Sequence, residues 1–238
     1  MLRCLSSILG YKVGVGATSF GHVKDFYFDD RGWTVRYLLI KPLRRYGLDK
    51  LLLSPSSVGE LMDADKIVPA IVPVEKMLSA PKQEEELTVS RQYEIALSEH
   101  YGWPFYWDGK LTTTTPLVTL PDEVVLLEGD PNLRSAVEVM GYTVQASDDT
   151  VGHIDDFVVS TETWCIESVV VDTRDWLPDR KVTLSHRKVE RIDWQSGTIF
   201  IPTKAADVEK LATFDERAPI NRKVEVRFYD YFGRPISA

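Results

Sequence analysis

The sequence predicts a mainly β chain: two tandem small β-barrels, each followed by short α-helices and related by a pseudo-two-fold axis. Three observations carry that expectation. The chain repeats itself, each repeat is a run of short apolar segments cut by turn residues, and helical patterns follow each run. Repeats are read first, because missing one misassigns the whole fold. Adding 131 to a position in the first half lands on its counterpart in the second without a gap. Gly10-Tyr11-x-Val13 returns as Gly141-Tyr142-x-Val144, and Gly21-His22-x-x-Asp25-Phe26 as Gly152-His153-x-x-Asp156-Phe157. Trp33 returns as Trp164, Lys50 as Lys181 and Leu53-Ser54 as Leu184-Ser185. Far downstream the register still holds, with Arg91 and Glu94 matched by Arg222 and Glu225. The expected organisation is a first barrel with its helical tail over 1–104, a linker over 105–131, and a second barrel with its tail over 132–238.

In the first repeat the segments 11–16, 22–29, 33–41, 50–54 and 67–72 are rich in Val, Ile, Leu, Tyr and Phe. Asp29-Asp30-Arg31-Gly32 and Pro55-Ser56-Ser57 separate them as turns, the spacing of an all-β barrel or sandwich. Strict alternation places Val23, Asp25 and Tyr27 on one face of the second strand and Lys24, Phe26 and Phe28 on the other. The continuous apolar run Tyr37-Leu38-Leu39-Ile40 suits a strand buried on both faces. A helical turn is expected over 74–78 and a second short helix over 89–100, closed by Gly102. The second repeat predicts helices near 205–212 and 220–231. The linker, with Thr112-Thr113-Thr114-Thr115-Pro116, reads as loop with one short strand at 124–127.

Composition excludes several classes. Of 238 residues, 44% are hydrophobic and 27% charged, which is enough apolar side chain for a core. Two cysteines, Cys4 and Cys165, exclude a disulfide scaffold. No apolar run reaches the ~20 residues of a membrane span, and the opening residues make a poor secretory signal, so the expected location is cytoplasmic. The net charge of −8 argues against nucleic acid as partner. Residues 1–104 carry 13 basic and 13 acidic side chains, so the acidity lies in the connector and second repeat.

Each unit opens Gly-Tyr-x-Val. It continues Gly-x-[Val/Ile]-x-Asp-Phe, then Trp with an apolar triplet, then a Lys-x-x-Leu-Ser strand, and in this the chain resembles the PRC-barrel family. That family takes in the cytoplasmic domain of the photosynthetic reaction-centre H subunit and the C-terminal domain of a ribosome-maturation factor. More closely, the chain resembles tandem PRC-barrel proteins, whose barrels end in tails like Ser90-Arg91…Tyr101-Gly102-Trp103-Pro104 and Asn221-Arg222…Tyr231-Phe232-Gly233-Arg234-Pro235. The resemblance implies an interaction or assembly module with no catalytic centre. The H subunit carries a transmembrane helix ahead of its barrel, which is not found here.

The residues themselves offer few sites. His22/Asp25 and His153/Asp156 have the right types for a metal or acid–base pair. Residues three apart on a strand face opposite sides unless a bulge intervenes, so the expected role of each Asp is to fix local backbone hydrogen bonds. Gly14, Gly16 and Gly21 imitate a nucleotide-binding loop, but a strand rather than a helix follows. Cys4 and Cys165 have Ser135 and Thr34 as repeat counterparts, and His100 and His186 sit in unrelated contexts. No catalytic residue, metal ligand or cofactor is therefore assigned. The candidate interaction residues are the aromatic tails: Tyr101, Trp103, Phe105, Tyr106 and Trp107, with Tyr229, Tyr231 and Phe232. They form either a seam between the copies or a docking patch, since Trp and Tyr dominate interface hot spots.

The function expected is a non-enzymatic interaction or scaffold module with an unidentified protein partner. One alternative is an accessory protein of photosynthetic or membrane electron-transfer complexes, peripherally associated, with Asp25, Asp156 and Glu167 shaping the local field. The other is a metal- or small-molecule-binding protein using His22 and His153. Homo-oligomerisation stays open.

Overall fold

In a computed structural model the described residues are 1–82, 89, 91–106, 132–173, 180–208, 210, 211, 213 and 214. They are mainly β. The first repeat runs β1 (Leu2–Cys4), β2 (Lys12–Val15), β3 (Thr18–Asp29), β4 (Thr34–Pro42), β5 (Leu51–Leu53), β6 (Ile67–Pro69), α1 (Val74–Leu78) and α2 (Arg91–Tyr101). The second runs β7 (Leu133–Ser135), α3 (Ala136–Val139), β8 (Thr143–Gln145), β9 (Thr150–Ser160), β10 (Ile166–Asp172), β11 (Lys181–Ser185), β12 (Arg191–Asp193), β13 (Thr198–Phe200) and α4 (Ala205–Val208). The expected helix 220–231 and linker strand 124–127 lie outside the described residues. No described helix is long and apolar enough to cross a membrane.

Two compact units emerge, and neither is one continuous stretch of chain. Unit 1 holds Met1–Leu9, Gly32–Val35 and Arg134–Ala238, while unit 2 holds Gly10–Arg31 and Arg36–Leu133. Leading residues and a hairpin tip from the first repeat thus belong to the body of the second.

The sheet of unit 2 has the order β5-β4-β3-β2-β6, and Leu133 opens β7 alongside β3. Asp29 Oδ1 accepts a hydrogen bond from Arg31 N–H (3.0 Å), so the acidic turn read from the sequence closes the β3–β4 hairpin. Phe20, Phe26, Phe28, Leu38, Ile40, Leu52 and Leu53 form the core. The expected alternation on β3 breaks, because Asp25 and Phe26 are both buried beside exposed Lys24.

Unit 1 has the order β11-β10-β9-β8-β13-β12, with β1 added on β9. Neither sheet closes into a barrel among the described residues. The repeat survives in the register: β6 runs parallel to β2 with Lys12 opposite Ile67, and β13 parallel to β8 with Thr143 opposite Thr198. Both pairs are the same pair, 131 positions apart.

Within unit 1 the hairpin tips of the two repeats pair. Val35 N–H donates to the Trp164 carbonyl (2.8 Å) and Ile166 N–H to the Trp33 carbonyl (2.7 Å), setting Thr34 directly opposite Cys165. Trp33 (φ 46°) and Trp164 (φ 58°) both hold the left-handed conformation that bulky side chains rarely adopt. Trp33 is buried and stacks on His186, their ring centroids 5.5 Å apart. The hydrogen bonds flank Thr34 and Cys165 rather than join them, so their Cα atoms approach to ~4.5 Å, within disulfide range. Thr34 Oγ1 and Cys165 Sγ are 3.7 Å apart. The variant Thr34→Cys is accordingly expected to oxidise to an internal disulfide with Cys165. Thiol titration and peptide mapping check this: a single reactive thiol, Cys4, should remain after mild oxidation, and three would contradict the pairing.

Candidate functional site

The aromatic tail begins where α2 stops. Gly102 (φ 76°) turns left-handed, and the N–H groups of Gly102 (2.7 Å) and Trp103 (2.9 Å) both donate to the Ser98 carbonyl. This glycine cap satisfies the helix end and sends Trp103 back across it. Trp103 stacks on Tyr101, with centroids 4.3 Å apart and planes 14° from parallel, and its ring lies 6.2 Å from Tyr37. Its Nε1–H donates to Ser57 Oγ (2.7 Å) on the turn after β5. Tyr101 is buried, and its phenol is pushed above the usual range by that burial and then by Tyr93. Burial alone moves Tyr93 up to about 12. Lys76 and His100 bind the tail to α1, through His100 Nε2 at 2.8 Å from the Lys76 carbonyl.

Beneath the tail lies a carboxylate that the sequence reading did not single out. Glu94 is fully buried, and its Oε2 accepts from Tyr37 (2.9 Å) and Tyr106 (2.8 Å). Arg91, one helical turn earlier, pairs with its Oε1 at 3.2 Å. The Arg36 guanidinium sits 4.3 Å over the Tyr106 ring and pairs with Asp29 at 3.0 Å. A buried carboxylate is tolerated when charge-assisted hydrogen bonds and an ion pair offset its desolvation; here the two phenols serve Oε2 and Arg91 serves Oε1. The signal was present: Arg91 and Glu94 recur as Arg222 and Glu225, a spacing that puts both on one helix face.

Of the predicted interaction residues, Tyr101, Trp103 and Tyr106 are thus engaged within unit 2, and Phe105 is half-buried beside them. Trp107, Tyr229, Tyr231 and Phe232 lie outside the described residues.

The Gly-His-x-x-Asp motif does structural work in both units. Gly21 and Gly152 sit where a neighbouring strand passes too close for a side chain. On β9 a bulge falls at Asp155, between Ile154 and Asp156 opposite Val170 and Val171, so the condition for His153 and Asp156 to share a face is met. They still differ in setting, since His153 is exposed and Asp156 buried. Asp156 Oδ1 accepts from its neighbour Phe157 N–H (2.7 Å) and from Ser6 N–H (3.1 Å), and Oδ2 takes the Ser6 hydroxyl. Asp25 Oδ1 accepts from Phe26 N–H (2.6 Å) in the same way, and His22 is half-buried. Among the described residues no three His, Cys, Asp or Glu side chains gather as a metal set would.

Burial raises the Asp156 pKa, and the hydrogen bonds from Ser6, Phe157 and Cys4 only partly offset it. A carboxyl whose folded pKa lies above its unfolded value of about 4 stabilises fully below that pH. The contribution is lost as pH rises through the folded pKa. The stability difference between the wild type and Asp156→Asn is therefore expected to shift in favour of the variant between pH 4 and pH 7. Urea denaturation at both pH values checks it.

Fold and geometry together define a mainly β, internally duplicated protein whose most elaborate polar cluster anchors its own aromatic tail. No protein-family model matches the chain, and no curated protein matches it.

Proposed function

We propose that the chain is a non-enzymatic, cytoplasmic assembly module, a tandem of partly open PRC-type barrels that docks protein partners. The observation that supports this reading is the pairing of Trp33-Thr34-Val35 with Trp164-Cys165-Ile166 inside unit 1. Equivalent residues of the two repeats meet through reciprocal hydrogen bonds, the pattern of an isologous interface. A hairpin tip that pairs through its backbone with its own repeat is the kind of strand edge by which proteins are recognised, and this supports the reading. The strained tryptophans point the same way, since unfavourable backbone angles persist where the surroundings over-determine them.

The test is crosslinking of the tagged full-length chain in its native cells, followed by mass spectrometry. The expected result is one or a few protein partners in near-stoichiometric amount. A crosslink profile equal to that of an unrelated acidic control of similar size overturns the reading.

A further inference from the structure

The edge of β9 changes partner halfway along. Over Thr150 to His153 it pairs with β8, and over Val158 to Ser160 with β1, antiparallel, with Leu2 opposite Ser160 and Cys4 opposite Val158. Between these stretches lie Asp155 and Asp156; the bulge at Asp155 is in the ladder of β9 with β10, on the side away from β8 and β1. The Asp156 carboxylate accepts from its neighbour Phe157 N–H and from Ser6 N–H of the leading segment, as well as from the Ser6 hydroxyl. Leu5 N–H donates to the Phe157 carbonyl (2.9 Å), and Leu5 and Ile8 are fully buried.

The occupant of this edge comes from elsewhere in the chain. Met1–Leu9 packs as part of unit 1, yet the next residue, Gly10, belongs to unit 2. Gly10 (φ 80°) is exposed and turns the chain left-handed, as glycine does at little cost, and its N–H donates to the Val23 carbonyl of β3 (2.9 Å), so the turn is held on the unit 2 side. The contacts that hold Met1–Leu9 on unit 1 include a three-residue strand, the buried Leu5 and Ile8, the clip of the Asp156 carboxylate on Ser6, the Met1 ammonium paired with Glu162 at 2.8 Å, and Thr161 N–H donating to the Met1 carbonyl. At the position equivalent to Ser6 the second repeat has Val137, which lacks the hydroxyl, so the full clip belongs to this edge alone.

We infer that the β9 edge of unit 1 is an exchangeable strand-binding site, and that the Met1–Leu9 segment of a second copy of this chain can occupy it in place of the chain's own. The site reads an extended segment by its backbone, a serine by the Asp156 carboxylate, and apolar residues at the positions of Leu5 and Ile8, as strand addition does. Exchange of an identical segment between copies creates no new kind of contact: the same strand, clip and apolar contacts break within one copy and re-form between two. The inference stands apart from the assembly reading, because an enzyme could carry the same site.

Cys4 and Val158 are directly opposed and flanked, not joined, by hydrogen bonds, a geometry that admits a disulfide. The test uses the full chain carrying Val158→Cys, with Cys165→Ser to leave one thiol pair. Unlabelled and 15N-labelled copies are mixed under reduction at micromolar and near-millimolar concentration, oxidised, digested and weighed. The expected result is crosslinked peptides joining Cys4 to the new thiol at position 158, with mixed-isotope pairs rising at least tenfold with concentration. Same-isotope pairs alone at every concentration, or no crosslink between these positions, overturn the inference. A second measurement needs no substitution: hydrogen exchange of the unaltered chain. Leu5 and Ser6 amides are expected to exchange at least tenfold faster than Val169 and Val170 of β10. Equal rates mean that the segment leaves only when unit 1 unfolds, and they overturn the inference even if the variant does not fold.

Discussion

Gly152→Ala is expected to cost unit 1 about 3 kcal/mol or more, from strain and overpacking together. A Cβ at position 152 would overlap the Asp172 carbonyl oxygen and stand 2.9 Å from its carbon, and φ there is 138°. Backbone on a paired strand cannot swing aside as a side-chain tip can, so β9 and β10 would have to part. Gly21 is crowded in the same way by Lys41 and Pro42, whose Cα would lie 2.8 Å from the added atom, but without the left-handed φ. Gly21→Ala should therefore be damaging in unit 2 and somewhat milder. Gly141 separates the two causes: its φ is 99°, yet nothing lies within 4 Å, so Gly141→Ala should cost only about 1–2 kcal/mol. Chemical denaturation of the three variants checks the order. A Gly152→Ala protein as stable as Gly141→Ala would contradict the close approach.

Glu94→Ala is expected to destabilise unit 2 by about 3–5 kcal/mol, the range for breaking a buried pair and stranding its partner. The loss falls on Arg91, whose side chain is 12% exposed, and on the Tyr37 and Tyr106 hydroxyls, which both donate to the missing carboxylate. Glu94→Gln should cost less, because the amide oxygen still accepts from the phenols although the ion pair with Arg91 is lost. Urea unfolding followed by tryptophan fluorescence checks it, Trp103 lying 6.2 Å from Tyr37. An alanine variant within 1 kcal/mol of the wild type would show that the cluster is incidental.

Much of this was legible in the residues, and for local reasons. The 131-residue offset exposed the duplication before any strand was assigned, and it reappears as identical strand register in both sheets. Segments 11–16, 22–29 and 33–41 became β2, β3 and β4, since apolar runs bounded by Asp and Gly turns have few other uses. The repeated glycines are visible along the chain too, although nothing there marks which carbonyls crowd them. The Asp of the Gly-His-x-x-Asp motif does fix local backbone hydrogen bonds, at Phe26 and Phe157. Glu94 is legible as a repeated residue but not as a buried one, because a glutamate in an amphipathic helix normally faces water, and only the arrival of Tyr37 and Tyr106 from other positions makes burial tolerable.

By itself the sequence determined what repeats, where the chain extends or turns, and which residue types each unit holds. Those features follow from short-range sterics and from apolar periodicity, and both are written along the chain. Which edge each strand completes was decided by the tertiary structure alone. Met1–Leu9 lies beside a strand some 150 positions away because the second half of β9 has N–H groups and apolar side chains that need covering. Likewise the tips at Trp33 and Trp164 meet because each supplies the hydrogen bonds the other lacks. Such needs arise only once a sheet has formed, so the open division at 104 and 132 that the repeat suggests gives way to two units that are each assembled from non-contiguous stretches of chain.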